Sequence, residues 1–218
     1  MRKTRVQKKE QGNPQLSEIL KNKVITALAT LHFLAKHPHD SFSVTEIAEE
    51  ISTSKSTASK ILQSLQKENL VIIGKITPRL WRVQFNTQNL KAISYKISTN
   101  LGLIYQSDVL EYIKQKWGTP KAILLFGSMR KGEDTTGSDI DIAIEVDQDQ
   151  QLAILELANV ENEETSLLKE LHGKLQQFET FLERKFRFHI FNRNKVDINL
   201  FNNIANGILL FGFLEVKP

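Results

Sequence analysis

Two carboxylates one residue apart, Asp139 and Asp141, are the residues of this chain best suited to hold a divalent cation. They stand in the run Ser138-Asp139-Ile140-Asp141-Ile142-Ala143-Ile144-Glu145, whose alternation predicts a strand. On a strand, residues i and i+2 face the same way, so the two aspartates project together while Ile140, Ile142 and Ile144 turn toward a core. Carboxylates placed so close repel unless something positive lies between them. Mg²⁺, a hard cation that takes oxygen ligands and substrate phosphates, meets that need. Upstream, the apolar run Lys121 to Phe126 reads as a second buried strand and ends in Gly127-Ser128. Gly127 allows the backbone close to a phosphate, and Ser128 adds a hydroxyl donor. The loop between the strands carries Arg130 and Lys131, cations placed to meet triphosphate charge. These parts suit transfer of a nucleotidyl group from a metal-bound triphosphate, with catalysis by charge neutralisation and in-line positioning.

Gly-Ser, ten residues, then Asp-Ile-Asp-Ile resembles the signature of nucleotidyltransferases of the DNA polymerase beta superfamily. The Met129-Arg130-Lys131-Gly132 run and Ser138 before the aspartates look most like the minimal nucleotidyltransferase branch, which includes antitoxin partners of small helical toxins. The resemblance spans residues 107 to 214, including a closing helix, Ile204 to Leu210. It implies Mg²⁺ or Mn²⁺ on Asp139 and Asp141, and a nucleoside triphosphate, ATP foremost, held at Gly127, Ser128, Lys131 and Ser138. A protein side chain, such as that of a toxin, is one acceptor it suggests. The family normally adds a third carboxylate from a later strand. On the expected strand Phe186 to Phe191, after a helix over residues 164 to 185, that position falls on His189. Asp197 is the alternative third ligand, if a short strand forms around it; if a helix begins there, Asp197 caps it. Loss of the third carboxylate would put catalysis in doubt, though not nucleotide binding. His32, His37, His39 and His172 have no metal-ligand spacing.

The first half of the chain reads differently. Ile19, Leu20, Val24, Ala27, Leu28, Leu31 and Leu34 recur at helical spacing and stop before Pro38. Ser43-Val44-Thr45-Glu46 is a capping-box pattern opening a short helix with Ile47, Ala48 and Ile51 on one face. A third helix, ending near Asn69, buries Ala58, Ile61, Leu62 and Leu65 and presents Lys55, Ser56, Ser59, Lys60 and Gln63 on its other face. Val71 to Ile76 and Leu80 to Phe85, joined by Thr77-Pro78-Arg79, predict a hairpin in which Trp81, Val83 and Phe85 turn inward. Three helices and a basic hairpin resemble the winged helix-turn-helix of prokaryotic transcription regulators. Lys55, Lys60, Lys75, Arg79 and Arg82 would contact phosphate, and Ser56 and Ser59 could reach base edges of double-stranded DNA. Beyond it, Leu90, Ile93, Ile97 and Leu101 form a helical stripe suited to a connector or a homodimer interface. Leu110, Ile113 and Trp117 form another stripe after Ser107.

Charge separates the halves. The net charge of +4 divides into +9 for residues 1 to 118, with 18 Lys and Arg against 9 Asp and Glu, and −5 for the remainder, with 11 against 16. A basic half suits a polyanion, because phosphate contacts release counterions. The chain has no cysteine, which excludes disulfides and thiolate metal sites. Met1 to Pro14 lacks the apolar core of a signal peptide, and the longest apolar stretch, Ile208 to Leu214, is too short for a bilayer. The expectation is a cytoplasmic α+β, or α/β, chain with no membrane contact. Its parts are a basic disordered tail over residues 1–15, a winged helix over 16–86, a helical connector over 87–106 and a nucleotidyltransferase domain with a small mixed sheet over 107–218. The function this suggests is a DNA-binding regulator carrying a nucleotidyltransferase. The alternative is a non-enzymatic regulator whose second domain senses nucleotide or dimerises.

Overall fold

A computed structural model describes residues 14–77, 80–147, 152–160 and 165–216. The basic segment 1–13 and the wing-tip residue Arg79 lie outside them. In helix α1 (Pro14–Lys36) the last turns bury Leu31, Leu34 and Ala35, with Ala27 packed beside them, while Val24 and Leu28 of the expected stripe are exposed. Helix α2 (Val44–Glu50) starts on the expected capping box: the Glu46 N–H donates to Ser43 Oγ at 3.2 Å, and the Ser43 N–H donates to a Glu46 carboxylate oxygen at 2.6 Å. Helix α3 (Lys55–Lys67) opens on Ser54, which accepts from the Thr57 N–H at 3.1 Å, and buries Ala58, Ile61, Leu62 and Leu65. Strands β1 (Val71–Thr77) and β2 (Leu80–Phe85) pair antiparallel, and Val83 also bridges Phe42. Leu34, Ile47, Ile61, Leu62, Val83 and Phe85 close this first core.

Helix α4 (Leu90–Gln106) departs from the expected pattern. Its buried line is Ala92, Lys96, Asn100 and Ile104, while Leu90 is 83% exposed. The helix lies between two bodies, so two faces are covered and apolar spacing does not identify both. Helix α5 (Val109–Trp117) follows, with Ser107 Oγ accepting from the Val109 N–H at 3.3 Å.

The second half is a five-stranded mixed sheet, ordered β5-β6-β4-β3-β7. Its strands are β3 (Ala122–Leu125), β4 (Ile140–Glu145), β5 (Ala153–Glu156), β6 (Phe186–Phe191) and β7 (Ile208–Gly212). Only the β4–β6 pair is parallel. Helix α6 (Gly127–Lys131) follows β3, α7 (Ser166–Leu182) precedes β6, and α8 (Ile198–Ala205) precedes β7. Strand alternation sorts the two faces. Ile123, Leu125, Ile142, Ile144, Phe186 and Phe188 pack on α5 and α7; Ala122, Leu124, Ala143 and Phe191 pack on Ile204 of α8. Asp141, Arg187 and His189 therefore belong to the α8 face.

The expected closing helix Ile204 to Leu210 is two elements instead. Helix α8 ends at Ala205, the Gly207 N–H donates to Ile204 O at 2.7 Å, and Ile208 to Gly212 pairs with β3. A Cβ on Gly207 would lie 2.7 Å from Ile204 O and 2.8 Å from Leu125 O, so glycine lets the chain turn directly into the sheet. Among the described residues no helix is long and apolar enough to cross a membrane.

Candidate functional site

Strand β3 delivers Phe126 to a sharp turn. Gly127 takes φ 71, the left-handed region, and a Cβ there would collide with Asp141 Oδ2. The Phe126 N–H donates to Asp141 O at 3.1 Å, so the turn and the aspartate of β4 are fixed to each other. Beside the turn lies a cleft of about 310 Å³ lined by Gly127, Ser128, Arg130, Lys131 and Glu133, by Asn203 of α8 and by Asn206 just after it, with Lys131 3.7 Å from Glu133. The two asparagines were not foreseen; only the fold carries α8 to the Gly127 turn. Ser138 is occupied locally: its hydroxyl accepts from the Thr135 N–H at 2.9 Å, and its N–H donates to Thr135 O at 3.1 Å. It closes the loop before Asp139.

Asp139 stands one residue ahead of β4 and Asp141 lies within it. Both meet side chains from β6. Arg187 forms an ion pair with Asp139, and His189 Nε2 lies 3.3 Å from Asp141 Oδ1. The parallel register sets Arg187 beside Asp141 and His189 beside Ala143, so the two β6 residues share a face and reach the two aspartates together. His189 is 7% exposed, sits edge-on to the Phe126 ring at a centroid distance of 4.8 Å, and buries an Nδ1 without a hydrogen-bond partner.

The position at which a third carboxylate was sought is thus held by His189. Asp197 does not replace it. It is the N-cap of α8, accepting from the Asn199 N–H at 2.9 Å and the Leu200 N–H at 3.3 Å. Of the two roles open to Asp197, a helix begins there and the capping one is observed, through Oδ1; no strand forms around it to present it as a metal ligand. Among the described residues no three His, Cys, Asp or Glu side chains gather to hold a metal. Arg187 takes one oxygen of Asp139 and His189 lies on one oxygen of Asp141. A Mg²⁺ ion would meet one remaining oxygen on each, with a guanidinium competing, where three gathered carboxylates would suit it; the residues present are a poor fit for that ion.

A family model described as a nucleotidyltransferase domain matches residues 107–198, and one described as the MarR family matches residues 25–75. The chain joins a MarR-type winged helix to a nucleotidyltransferase domain. Partial likeness extends to solved structures. A DNA complex of MepR from S. aureus is 16% identical, covering 46% of this chain and 94% of that one at a TM-score of 0.29. MepR itself, a transcription regulator of the Staphylococcus aureus efflux pump MepA, is 19% identical over 47% and 86%, at 0.32. ZitR from Lactococcus lactis is 18% identical over 46% and 72%, at 0.30. No curated protein matches the chain.

On the MarR-type winged helix, Lys55, Ser56 and Lys60 are exposed along α3 and Ser59 is half-buried. Lys75 of β1 is exposed and holds its ammonium 5.2 Å from the centre of the Trp81 ring. The Arg82 guanidinium meets Glu46 at 3.3 Å and Ser41 O at 3.4 Å, linking β2 to the start of α2. The Ser43 N–H, more than Arg82, holds the Glu46 carboxyl below its usual range. Lys55, Lys60 and Lys75 are thus solvent-exposed cations, and Arg82, also exposed, is ion-paired with Glu46.

Proposed function

We propose that the chain is a DNA-binding regulator whose nucleotidyltransferase domain takes a nucleoside triphosphate, ATP foremost, as a signal and not as a substrate. One observation carries this: Arg187 and His189 of β6 engage Asp139 and Asp141 where a transferase would gather metal-binding carboxylates. Phosphoryl-type transfer depends on metal neutralisation of the triphosphate, and little else in such a site replaces it. Binding has a lower requirement. The Gly127 turn, Ser128 and Arg130, with Lys131 paired to Glu133 at an exposed site where phosphate could displace it, supply donors and positive charge beside a cleft of about 310 Å³.

The test is incubation with Mg²⁺, α-labelled ATP and cell extract as acceptor source, beside an Asp139→Ala/Asp141→Ala control. The wild-type chain is expected to retain labelled ATP in equilibrium dialysis and to transfer no more label than the control. Label entering a protein with the wild type alone would overturn the proposal. That outcome belongs to a second reading, transfer of a nucleotidyl group from Mg²⁺-bound ATP to a protein acceptor such as a toxin. Its support is the Gly127 turn, which stands against Asp141 as a transferase site would require.

For the winged helix the expectation concerns salt. Binding to duplex DNA should weaken in Lys55→Glu/Lys60→Glu, and the plot of log affinity against log salt should become shallower by about two, roughly one for each lost phosphate contact. Equal affinity and slope for both proteins, by fluorescence anisotropy across a salt series, would remove α3 from the DNA interface.

A further inference from the structure

A buried knot of charge joins the two halves and takes no part in either binding face. Asp134, fully buried, lies in the loop that runs from the Gly127 turn to Asp139. One carboxylate oxygen accepts from Asn100 Nδ2 at 2.8 Å and the other from Arg184 Nη1 at 2.8 Å. Lys96 donates to the Asp134 backbone carbonyl and holds its ammonium 3.6 Å from the carboxylate. Asn100 also donates to Met129 O at 3.0 Å, inside α6. Helix α4 lies so close to the end of α6 that a Cβ on Gly132 would sit 3.3 Å from Ile97 Cγ1 and 3.4 Å from Ile93 Cγ2.

The same helix is fastened to the winged helix. Ala92 is part of that core, Ile93 and Tyr95 pack on it, and the Tyr95 hydroxyl donates to Leu28 O of α1 at 3.3 Å. A second strut runs beside it, from Lys36 at the end of α1 to Glu183, the neighbour of Arg184, at 3.4 Å. An apolar junction would hold the halves at least as firmly, because burying charges costs desolvation; an ionic knot instead fixes one relative geometry. A shift of the Gly127–Lys131 turn must move α4 or break the knot, and α4 in turn carries the α1–α3 face.

We infer that Asp134, gripped by Lys96, Asn100 and Arg184, is a positioning residue that couples triphosphate occupancy of the Gly127–Lys131 turn to the DNA affinity of the winged helix. The inference rests on the proposed nucleotide and DNA binding, and the coupling is a separate quantity. Coupling is reciprocal, so ATP must change DNA affinity by the same factor as DNA changes ATP affinity.

The experiment measures both in the full chain, with ATP and mixed-sequence duplex DNA as probes. The wild type is expected to show equal factors from the two directions, about five-fold or more. Asn100→Ala, which deletes two hydrogen bonds and no charge, is expected to keep each single-ligand affinity and bring both factors to one. Wild-type factors of one, with both ligands bound, would overturn the coupling and leave the proposed function standing. No ATP binding at all would overturn both. A full factor in a folded Asn100→Ala chain would overturn the knot as the route. The wild-type pair of factors decides the coupling even where the variant does not fold.

Discussion

Asp134→Ala is expected to lower the unfolding free energy by about 3–5 kcal/mol, the usual consequence of stripping one partner from a buried ion pair. The reason is what remains. Lys96 is 2% exposed and Arg184 nearly as deeply placed, and both would stand without a counter-charge; Asn100 would also lose its carboxylate acceptor. Urea denaturation at pH 7 measures the loss, and a change below about 1 kcal/mol would mean the cluster is solvated, since exposed pairs are worth that little. The effect should also depend on pH. Burial pushes the Lys96 ammonium below its ordinary value, Arg184 pushes the same way, and Asp134 opposes them. The folded chain therefore holds this proton less tightly than the unfolded chain, and stability rises with pH from the lowered value up to the ordinary lysine value. Without Asp134 the opposing attraction is gone and the window opens at lower pH. The deficit of Asp134→Ala should accordingly shrink as pH is raised from 7 toward the lysine range.

What the sequence made legible were features whose causes are local. Ser43 and Glu46 sit three residues apart and satisfy each other, so the start of α2 could be read directly. Ala58, Ile61, Leu62 and Leu65 needed only helical spacing, and the strand of β6 only its alternation, while setting His189 against the acidic pair came from the family resemblance. What stayed hidden depends on partners far along the chain. Lys96 and Asn100 look like solvent-facing residues until Asp134, 38 and 34 positions later, folds against them. Arg82 meets Glu46, 36 positions earlier, across the winged helix, a pairing that no local pattern shows. The segment Ile208 to Gly212 has the apolar run of either a helix or a strand; the close approach of Gly207 to Leu125 settles it, and no sequence pattern shows that approach. At the candidate site the two aspartates were legible, and the ion pair of Asp139 with Arg187 was not, because parallel register is a property of the sheet.

Arg187→Val combined with His189→Asp is expected to make the chain bind a divalent metal more tightly than the wild type does. Valine suits a strand and withdraws the guanidinium from Asp139. Aspartate at 189 places a carboxylate where an imidazole nitrogen now lies 3.3 Å from Asp141 Oδ1. The three carboxylates would then share one face beside the Gly127 turn, with oxygen ligands enough to hold Mg²⁺ or Mn²⁺ with a Kd on the order of 10⁻³ M or tighter. The same crowding carries a penalty. Without metal the like charges repel, so the double variant should melt below the wild type and recover as Mn²⁺ is added, by linkage between binding and folding. His189→Asp alone keeps Arg187 on Asp139 and should recover less. A thermal-shift titration separates these cases without reference to activity. A metal response in the wild type equal to that of the double variant would mean that Arg187 and His189 yield readily to a cation, and the ground for reading the domain as a sensor would be lost. No response in either would mean that β6 does not present these positions to the acidic pair. The predicted ordering, double variant above single above wild type, follows only if the two β6 side chains are what keeps metal from Asp139 and Asp141.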